Sequence, residues 1–236
     1  MEYFKKQIKV DTHDVDYNGV CRASSLLKYI QSTAEQQLTD NGMSYDNLKN
    51  AKKAFIISRM HVEFANSVGV DDLIEATTFP CESRGFSFIR CYQLKRGGEV
   101  IARAISAWAL VDINTRALVR VSDFDLNLPT FAPLDMPLGH FRMPSTLKAS
   151  GEYTVAYADL DRNKHVNNTK YADIYANFIP LDEKRIATLS ISYVSEAVMG
   201  EKLTVFTAEE DGVYYIRTVK SDGKINSEAR ITLTDI

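Results

Sequence analysis

Cysteine and histidine are scarce in this sequence, and each scarcity closes off a class of chemistry. Three cysteines occur in 236 residues, at Cys21, Cys81 and Cys91. An odd number without CxxC spacing supplies neither a disulfide framework nor a zinc site, and fits a reducing compartment. The four histidines are scattered and have no clustered ligands, so neither a metal nor a cofactor is expected. Long apolar runs are missing too. The longest, around residues 104–111, falls far short of the ~20 residues a helical membrane span needs. The start, Met1-Glu2-Tyr3-Phe4-Lys5-Lys6, lacks the apolar region of a secretory signal. Neither sign of charge dominates: 28 Lys and Arg against 31 Asp and Glu leave a net charge of −3. Such a balance offers no global field for nucleic acid or anionic lipid. The expectation is a soluble, cytoplasmic protein with no nucleic-acid or membrane partner.

What is present is ordinary globular composition, with 45% hydrophobic and 25% charged residues. The length accommodates two units of roughly 100–130 residues each. Four of the six prolines (Pro129, Pro133, Pro137 and Pro144) crowd one short stretch near the middle. Proline fixes φ and removes a donor, so neither a helix nor a central strand fits there. The expected organisation is an N-terminal unit at 1–128, a surface linker at 129–147 and a C-terminal unit at 148–236.

The two sides echo each other. Asp14-Val15-Asp16-Tyr17-Asn18-Gly19-Val20 and Asp159-Leu160-Asp161-Arg162-Asn163-Lys164-His165 share a D-x-D-x-N spacing. Each precedes a helix candidate. In the first, Leu26, Leu27, Ile30, Ala34 and Leu38 recur at near-helical spacing behind Ser24 and Ser25, which are suited to cap, and Asn41-Gly42 is the stop. In the second, Asn167, Asn168 and Thr169 offer caps, Tyr171, Ile174, Tyr175 and Phe178 form the stripe, and Pro180 closes it.

Runs rich in Val, Ile, Thr and Tyr follow at 56–65, 72–82, 86–95 and 99–113, and again at 185–194, 201–209, 213–221 and 224–234. Breaks at Gly97-Gly98, Asp211-Gly212 and Asp222-Gly223 predict antiparallel hairpins. Each half thus reads as a strand, a helix and a meander. That pattern predicts an α+β protein of two tandem hot-dog units, each sheet wrapped around a central helix.

Chemistry concentrates at Asp161, Asn163 and His165. In an extended segment alternate side chains share a face, so all three would project into one site while Arg162 and Lys164 point away. The helix start beside them offers unsatisfied N–H groups able to stabilise an oxyanion. A carboxylate, an amide and an imidazole together suit acyl transfer. The competing reading is that D-x-D-x-N supplies only Asx-turn and capping acceptors. That reading suits Asp14, Asp16 and Asn18, where Val20 replaces the histidine.

The run Asp161-Arg162-Asn163-Lys164-His165-Val166-Asn167-Asn168-Thr169-Lys170-Tyr171 resembles the D-x-N-x-H-V-N-N-x-K-Y signature of the acyl-acyl carrier protein thioesterases of plant plastids and bacteria. Eight fixed positions match without a gap. Ser58-Arg59-Met60-His61-Val62, Trp108 and Thr115-Arg116 extend the resemblance into the first half, and the absence of a transit peptide suggests the bacterial type. The resemblance implies a double hot-dog and hydrolysis of fatty acyl-acyl carrier protein thioesters, with the acyl chain housed by the first half. It places Asp161, Asn163 and His165 on the catalytic Asp, Asn and His. The family's Tyr-x-x-Glu-Cys pattern reads here Tyr193-Val194-Ser195-Glu196-Ala197, so Glu196 falls on the glutamate and Ala197 replaces the cysteine.

Without that thiol a carboxylate must carry the reaction. Glu196, with Asp161 as second choice, is expected to activate water. His165 would orient the water or protonate the leaving thiolate, and Asn163 would position the carbonyl or sulfur. The N–H groups of Val166 and Asn167 are the expected oxyanion hole; direct carboxylate attack through an anhydride is the other route. Most first-half aromatics, such as Phe55, Phe64, Phe86 and Phe88, are expected in plain core.

Three other activities compete. A hot-dog dehydratase would need H-x-x-x-G-x-x-x-x-P, which occurs at none of His13, His61, His140 or His165. A coenzyme A thioesterase shares the chemistry and differs in carrier. A non-enzymatic acyl-thioester sensor would have no use for Asp161, His165 and Glu196 together. No G-x-S-x-G marks a serine hydrolase. The tandem unit predicts a monomeric pseudo-dimer or a homodimer of it.

Overall fold

The computed structural model describes residues 2–236. The first half runs β1 (Phe4–Lys9), α1 (Ala23–Asp40), α2 (Tyr45–Asn50), β2 (Lys53–Phe64), β3 (Leu73–Pro80), β4 (Phe88–Arg96), β5 (Glu99–Asp112) and the short β6 (Leu118–Val119). The second runs β7 (Lys148–Thr154), α3 (Lys170–Ala176), β8 (Lys184–Tyr193), β9 (Lys202–Glu210), β10 (Val213–Lys220) and β11 (Ile225–Asp235). No helix among the described residues is long and apolar enough to cross a membrane.

All the strands join one antiparallel sheet in the order β1-β3-β4-β5-β2-β8-β11-β10-β9-β7, with β6 on β5. The order is a mirror: apart from β6, each strand of the first half has its counterpart at the same distance on the other side of the β2–β8 join. The hairpins follow from turn chemistry. Gly97 and Gly98 both have positive φ between the paired Arg96 and Glu99, and Asp211 and Gly212 do the same between Glu210 and Val213. A two-residue type I′ turn demands that conformation at both positions, which glycine and aspartate tolerate.

Helix α1 buries Leu26, Leu27, Tyr29, Ile30 and Ala34, and α3 buries Tyr171, Ile174 and Tyr175, in one core shared by both halves. At roughly 1.5–3 kcal/mol for each large apolar side chain removed from water, this face is the main stabilising term for either helix. The chain is the α+β tandem hot-dog that the periodicities predict. A smaller cluster of Phe79, Cys81, Cys91 and Ile105 lies on the opposite face, as the neighbours Cys91 and Tyr92 of β4 point to opposite sides. Phe131, Leu134, Met136 and Leu138 of the proline-rich stretch cover it. That stretch is irregular apart from a bridge between Phe131 and Cys81.

Two local expectations are corrected. Ser24 and Ser25 do not cap α1. The N-cap is Arg22, without a side-chain cap, and both serines lie buried within the first turn. Helix α2 has too few residues to show a periodicity; Ser44 starts it by accepting from the Asn47 N–H at 3.2 Å. The phenylalanines divide. Phe64 and Phe88 are buried, Phe55 packs edge-on against Phe88 and Phe124, and Phe86 is exposed beneath the Arg120 guanidinium.

The halves meet where Arg59–Glu63 of β2 pair with Ser192–Thr188 of β8. At the middle of this seam His61, 5% exposed, lies opposite Ser190, with Nδ1 2.8 Å from the serine Oγ. Gly139 crosses directly above. Its φ is +74°, and a Cβ there would stand 3.0 Å from the His61 Cβ. Burial holds the His61 imidazole below its ordinary value of 6.5, outweighing Glu63, whose carboxylate stands 3.6 Å from Nε2. The folded state therefore prefers the neutral ring. The stability this contributes is present above about pH 6.5 and is lost as pH falls toward the depressed folded value. Thermal unfolding followed from pH 7.5 down to 5.5 should show a steeper loss of Tm in the wild type than in His61→Gln. Parallel pH profiles would show that His61 does not couple protonation to stability.

Candidate active site

The segment Asp161–His165 is a tight turn, which corrects the extended reading. Its ends are tied by the Asp161 N–H donating to the His165 carbonyl at 2.8 Å, and Lys164 has a φ of +65°. Inside the turn, Asp161 Oδ1 accepts the N–H groups of Asn163 at 2.7 Å and His165 at 3.3 Å. The capping chemistry assigned to the first-half echo thus operates in both loops. Asp16 Oδ1 accepts the N–H groups of Asn18 and Val20 at 2.9 and 3.1 Å, and Gly19 takes the positive φ that Lys164 takes here. The physical reason is local. A short aspartate reaches backbone donors two and four residues ahead at less cost than an isolated extended strand.

The turn nonetheless delivers its histidine to a partner. His165 Nε2 stands 3.1 Å from Glu196 Oε2, with the imidazole about one-third exposed and the carboxylate more so. Register is set by the Val166 N–H donating to the Ala197 carbonyl at 2.9 Å and by the bridge between His165 and Val198. Glu196 is held from behind. Asn226, fully buried, donates to the Ser195 carbonyl and accepts the Ser195 N–H on its own carbonyl, while Lys220 Nζ donates to the Glu196 carbonyl at 2.9 Å. Asn163 turns its Oδ1 toward Tyr45, whose hydroxyl donates to it at 2.7 Å. The Arg162 guanidinium lies 3.6 Å from the Tyr45 ring and pairs with Asp46.

The expected oxyanion donors are not free. The Val166 N–H is committed to Ala197, and the Asn167 N–H donates to the Asp159 carbonyl at 2.8 Å. They are committed because they dock the turn onto the sheet and onto the short helical turn before it. The N-cap of α3 is Thr169, without a side-chain cap, and the Asn167 side chain forms a turn just before it, its Oδ1 accepting the Thr169 N–H at 2.9 Å. The Asn168 N–H has no partner among the described residues, and its carbonyl accepts the Tyr193 hydroxyl at 3.1 Å. Asn168, Thr169 and Tyr193 line a cavity of about 10 Å³ together with Leu27, Met60 and Trp108 of the first half. That is room for about one water molecule.

A carboxylate touching an imidazole can bind a water and move its proton. Residues 1–126 match the model of the acyl-ACP thioesterase N-terminal domain, and residues 144–235 that of the C-terminal domain. The chain belongs to the acyl-ACP thioesterase family. It is 25% identical over 232 residues to an oleoyl-acyl carrier protein thioesterase of Arabidopsis thaliana, covering 88% of this chain and 63% of that protein. To an acyl-[acyl-carrier-protein] hydrolase of Cuphea viscosissima it is 21% identical over 225 residues, 87% of this chain and 55% of that one. This chain thus spans somewhat over half the length of these plant relatives. Among solved structures, an acyl-ACP thioesterase from Bacteroides thetaiotaomicron superposes with a TM-score of 0.84 over 98% of both chains at 21% identity. The 12:0-ACP thioesterase of Umbellularia californica gives 0.86 over 99% of this chain and 98% of that one at 18% identity.

Ala197, where the resemblance sets a cysteine, is fully buried. The three cysteines present are all buried, Cys21 in the first-half loop and Cys81 with Cys91 on the far face of the sheet. Burial pushes the Cys21 thiol up to about 12, the wrong direction for a nucleophile. Asp11, His13 and Asp14 bring possible ligand atoms within 4.8 Å of one another. The Asp14 carboxylate already accepts the Tyr29 hydroxyl at 2.7 Å and the Asp11 N–H. Sequence reasoning missed Tyr45, Lys220 and Asn226, which sit 118, 24 and 31 residues from the groups they hold, with no local pattern to reveal them. A thiol reagent such as dithionitrobenzoate should leave all three cysteines unmodified in the native protein and react with them once it is unfolded. Rapid reaction of any one in the native state would contradict the burial described here.

Proposed function

We propose that this chain hydrolyses fatty acyl-acyl carrier protein thioesters to the free fatty acid and the carrier thiol, using Glu196 and His165 with Asn163. The observation that carries the reading is the 3.1 Å contact of His165 with Glu196. His165 comes three residues before Asn168 in the chain and Glu196 three after Tyr193, and Asn168 and Tyr193 line the cavity built from both halves. Family membership supplies the substrate class, and the relatives named above are thioesterases acting on acyl carrier protein by their own descriptions.

In the proposed reaction a water bound between Glu196 and the carbonyl gives its proton to the carboxylate as its oxygen adds to the carbonyl carbon. The developing oxyanion accepts from the Asn168 N–H, which replaces the two donors that the sequence suggested. A preorganised donor of this kind is worth roughly 2.7–4 kcal/mol of barrier. The proton taken from water passes from Glu196 to His165 across their 3.1 Å contact, and His165 delivers it to the sulfur as the carbon–sulfur bond breaks, so both groups end as they began. Asp161 acts through the turn it caps, and so positions His165 and Asn163 instead of activating water. Asn163, with its Oδ1 engaged by Tyr45, presents its amide N–H₂ toward the carbonyl or the sulfur. The acyl chain enters along Leu27, Met60 and Trp108 in the first half, and the room of about 10 Å³ there requires side chains to swing aside as it does so. Met60, unbranched and flexible, suits that movement.

Replacing His165 by Ala, or Glu196 by Gln, should lower kcat/KM on acyl-acyl carrier protein by about 10²–10⁴-fold while leaving Tm nearly unchanged. Full activity in both variants would end this assignment. Substituting all three cysteines by alanine should retain turnover in whatever fraction stays folded; a folded but inactive triple variant would require a thiol mechanism. The carrier is tested separately. Hydrolysis of one acyl group, such as dodecanoyl, from acyl carrier protein and from coenzyme A should favour the protein carrier by at least tenfold in kcat/KM, about 1.4 kcal/mol. Equal rates would make this a general acyl-thioester hydrolase.

A further inference from the structure

The duplicated fold contains a second cleft that mirrors the proposed site. It lies where the first-half loop and the start of α1 face α3 and the beginning of β8, and its volume is about 620 Å³. The correspondence is residue by residue. The Cys21 N–H donates to the Val68 carbonyl at 2.7 Å as the Val166 N–H donates to that of Ala197. Val20 therefore stands where His165 stands, and Ser67, one residue before the acceptor, where Glu196 stands. Both reactive side chains are missing, while Asp16 and Asn18 of the turn are kept.

The mirrored cleft is larger for a visible reason. On α1 the side chains facing the proposed site include Leu27 and Gln31, whereas the matching residues of α3 are Ala172 and Ala176. The difference of several heavy atoms opens the space. Its walls carry an apolar stretch of Leu26, Phe64, Val68, Ile179 and Ile186. They also carry the buried side-chain polar atoms that lack a partner among the described residues, Ser24 Oγ and Arg185 Nε. Ser24 is 1% exposed and sits in the first turn of α1, an 18-residue helix whose opening N–H groups share that end. The Arg185 Nη groups donate to the carbonyls of Phe64 and Ala65, each at 2.9 Å, while the buried Nε has no acceptor among the described residues. Buried donors without acceptors are costly and are ordinarily satisfied by something.

We infer that this cleft binds a long-chain fatty carboxylate without turning it over, the head group meeting Ser24 Oγ, Arg185 Nε and the α1 terminus, and the tail lying along Leu26, Phe64 and Ile186. A volume within the roughly 300–1,000 Å³ of small-molecule sites accommodates such a chain. Helix N-termini and an arginine donor favour an anion there, and in the lining Arg22, Lys184 and Arg185 match the carboxylates of Asp16, Asp173 and Asp182 in number. The inference does not depend on the reaction proposed above, since it concerns the other half of the pseudo-symmetric pair.

The test uses the full chain with hexadecanoic acid carrying a diazirine in its tail, followed by photolysis and mass-spectrometric mapping. Expected label falls on peptides holding residues 64–68 and 172–186, and excess hexadecanoate should compete it away at least about tenfold better than hexadecanol. Ala176→Trp, which fills the cleft from a partly exposed helix position, should lose that label and keep thioester hydrolysis within about twofold. Wild-type label located by fragmentation on Trp108, Met60 and Leu27 themselves, with none on residues 64–68 or 172–186, would overturn the inference by placing the fatty acid in the proposed catalytic site. Equal competition by the alcohol would overturn the carboxylate recognition. Should Ala176→Trp not fold, the wild-type map and the acid-against-alcohol comparison decide alone. Loss of hydrolysis in the His165 and Glu196 variants with this labelling intact would separate the two sites.

Discussion

Everything in this molecule depends on the pairing of β2 with β8. It converts two small sheets into one and fixes where each helix start meets the opposite half. The paired stretch is short, from Arg59 to Glu63, and its centre is apolar except for His61 and Ser190, which satisfy each other. A buried imidazole and hydroxyl without that contact would each have to be desolvated for nothing. The linker closes over the same spot, with Gly139 leaving no room for a side chain above the ring. Single hot-dog chains create such a seam by association; here it is intramolecular, so no concentration-dependent step is needed to assemble it.

The duplication puts His165 and Glu196 in one half and not in the other. Both loops use the same device, an aspartate that accepts backbone N–H groups and shapes a turn with one residue at positive φ. Such a turn is a scaffold that tolerates change at its last position. One copy ends in His165 against Glu196, the other in Val20 beside Ser67. Hence the D-x-D-x-N spacing shapes the turn in both halves. The larger cleft in the other half goes with Ala172 and Ala176, where the smaller one has Leu27 and Gln31.

Much of the fold was legible in the chain because it is encoded locally. Glycine pairs mark the turns, alternating β-branched residues mark the strands, and the Leu26 to Ala34 stripe marks α1. His165 and Glu196 were legible too, through a run of residues that resembles a known signature. The conformation between Asp161 and His165 was not. Alternation suggested an extended strand, but side-chain acceptors competing for nearby N–H groups made a turn instead. The oxyanion donors were misplaced for a related reason, since whether an N–H is free depends on which carbonyl the tertiary structure brings to it.

The sequence by itself determined that there are two similar halves, that one holds His165 and Glu196, and that this half contains no cysteine. These are matters of residue identity and spacing, which need no coordinates. Only the tertiary structure decided which groups hold those residues in place. Tyr45 reaches Asn163 across 118 residues, Asn226 holds the turn of Glu196, and Arg185 keeps an unpaired donor at the mouth of the second cleft. Contacts of that kind form only when the sheet closes around its helices, because nothing in the covalent neighbourhood of either partner specifies the other.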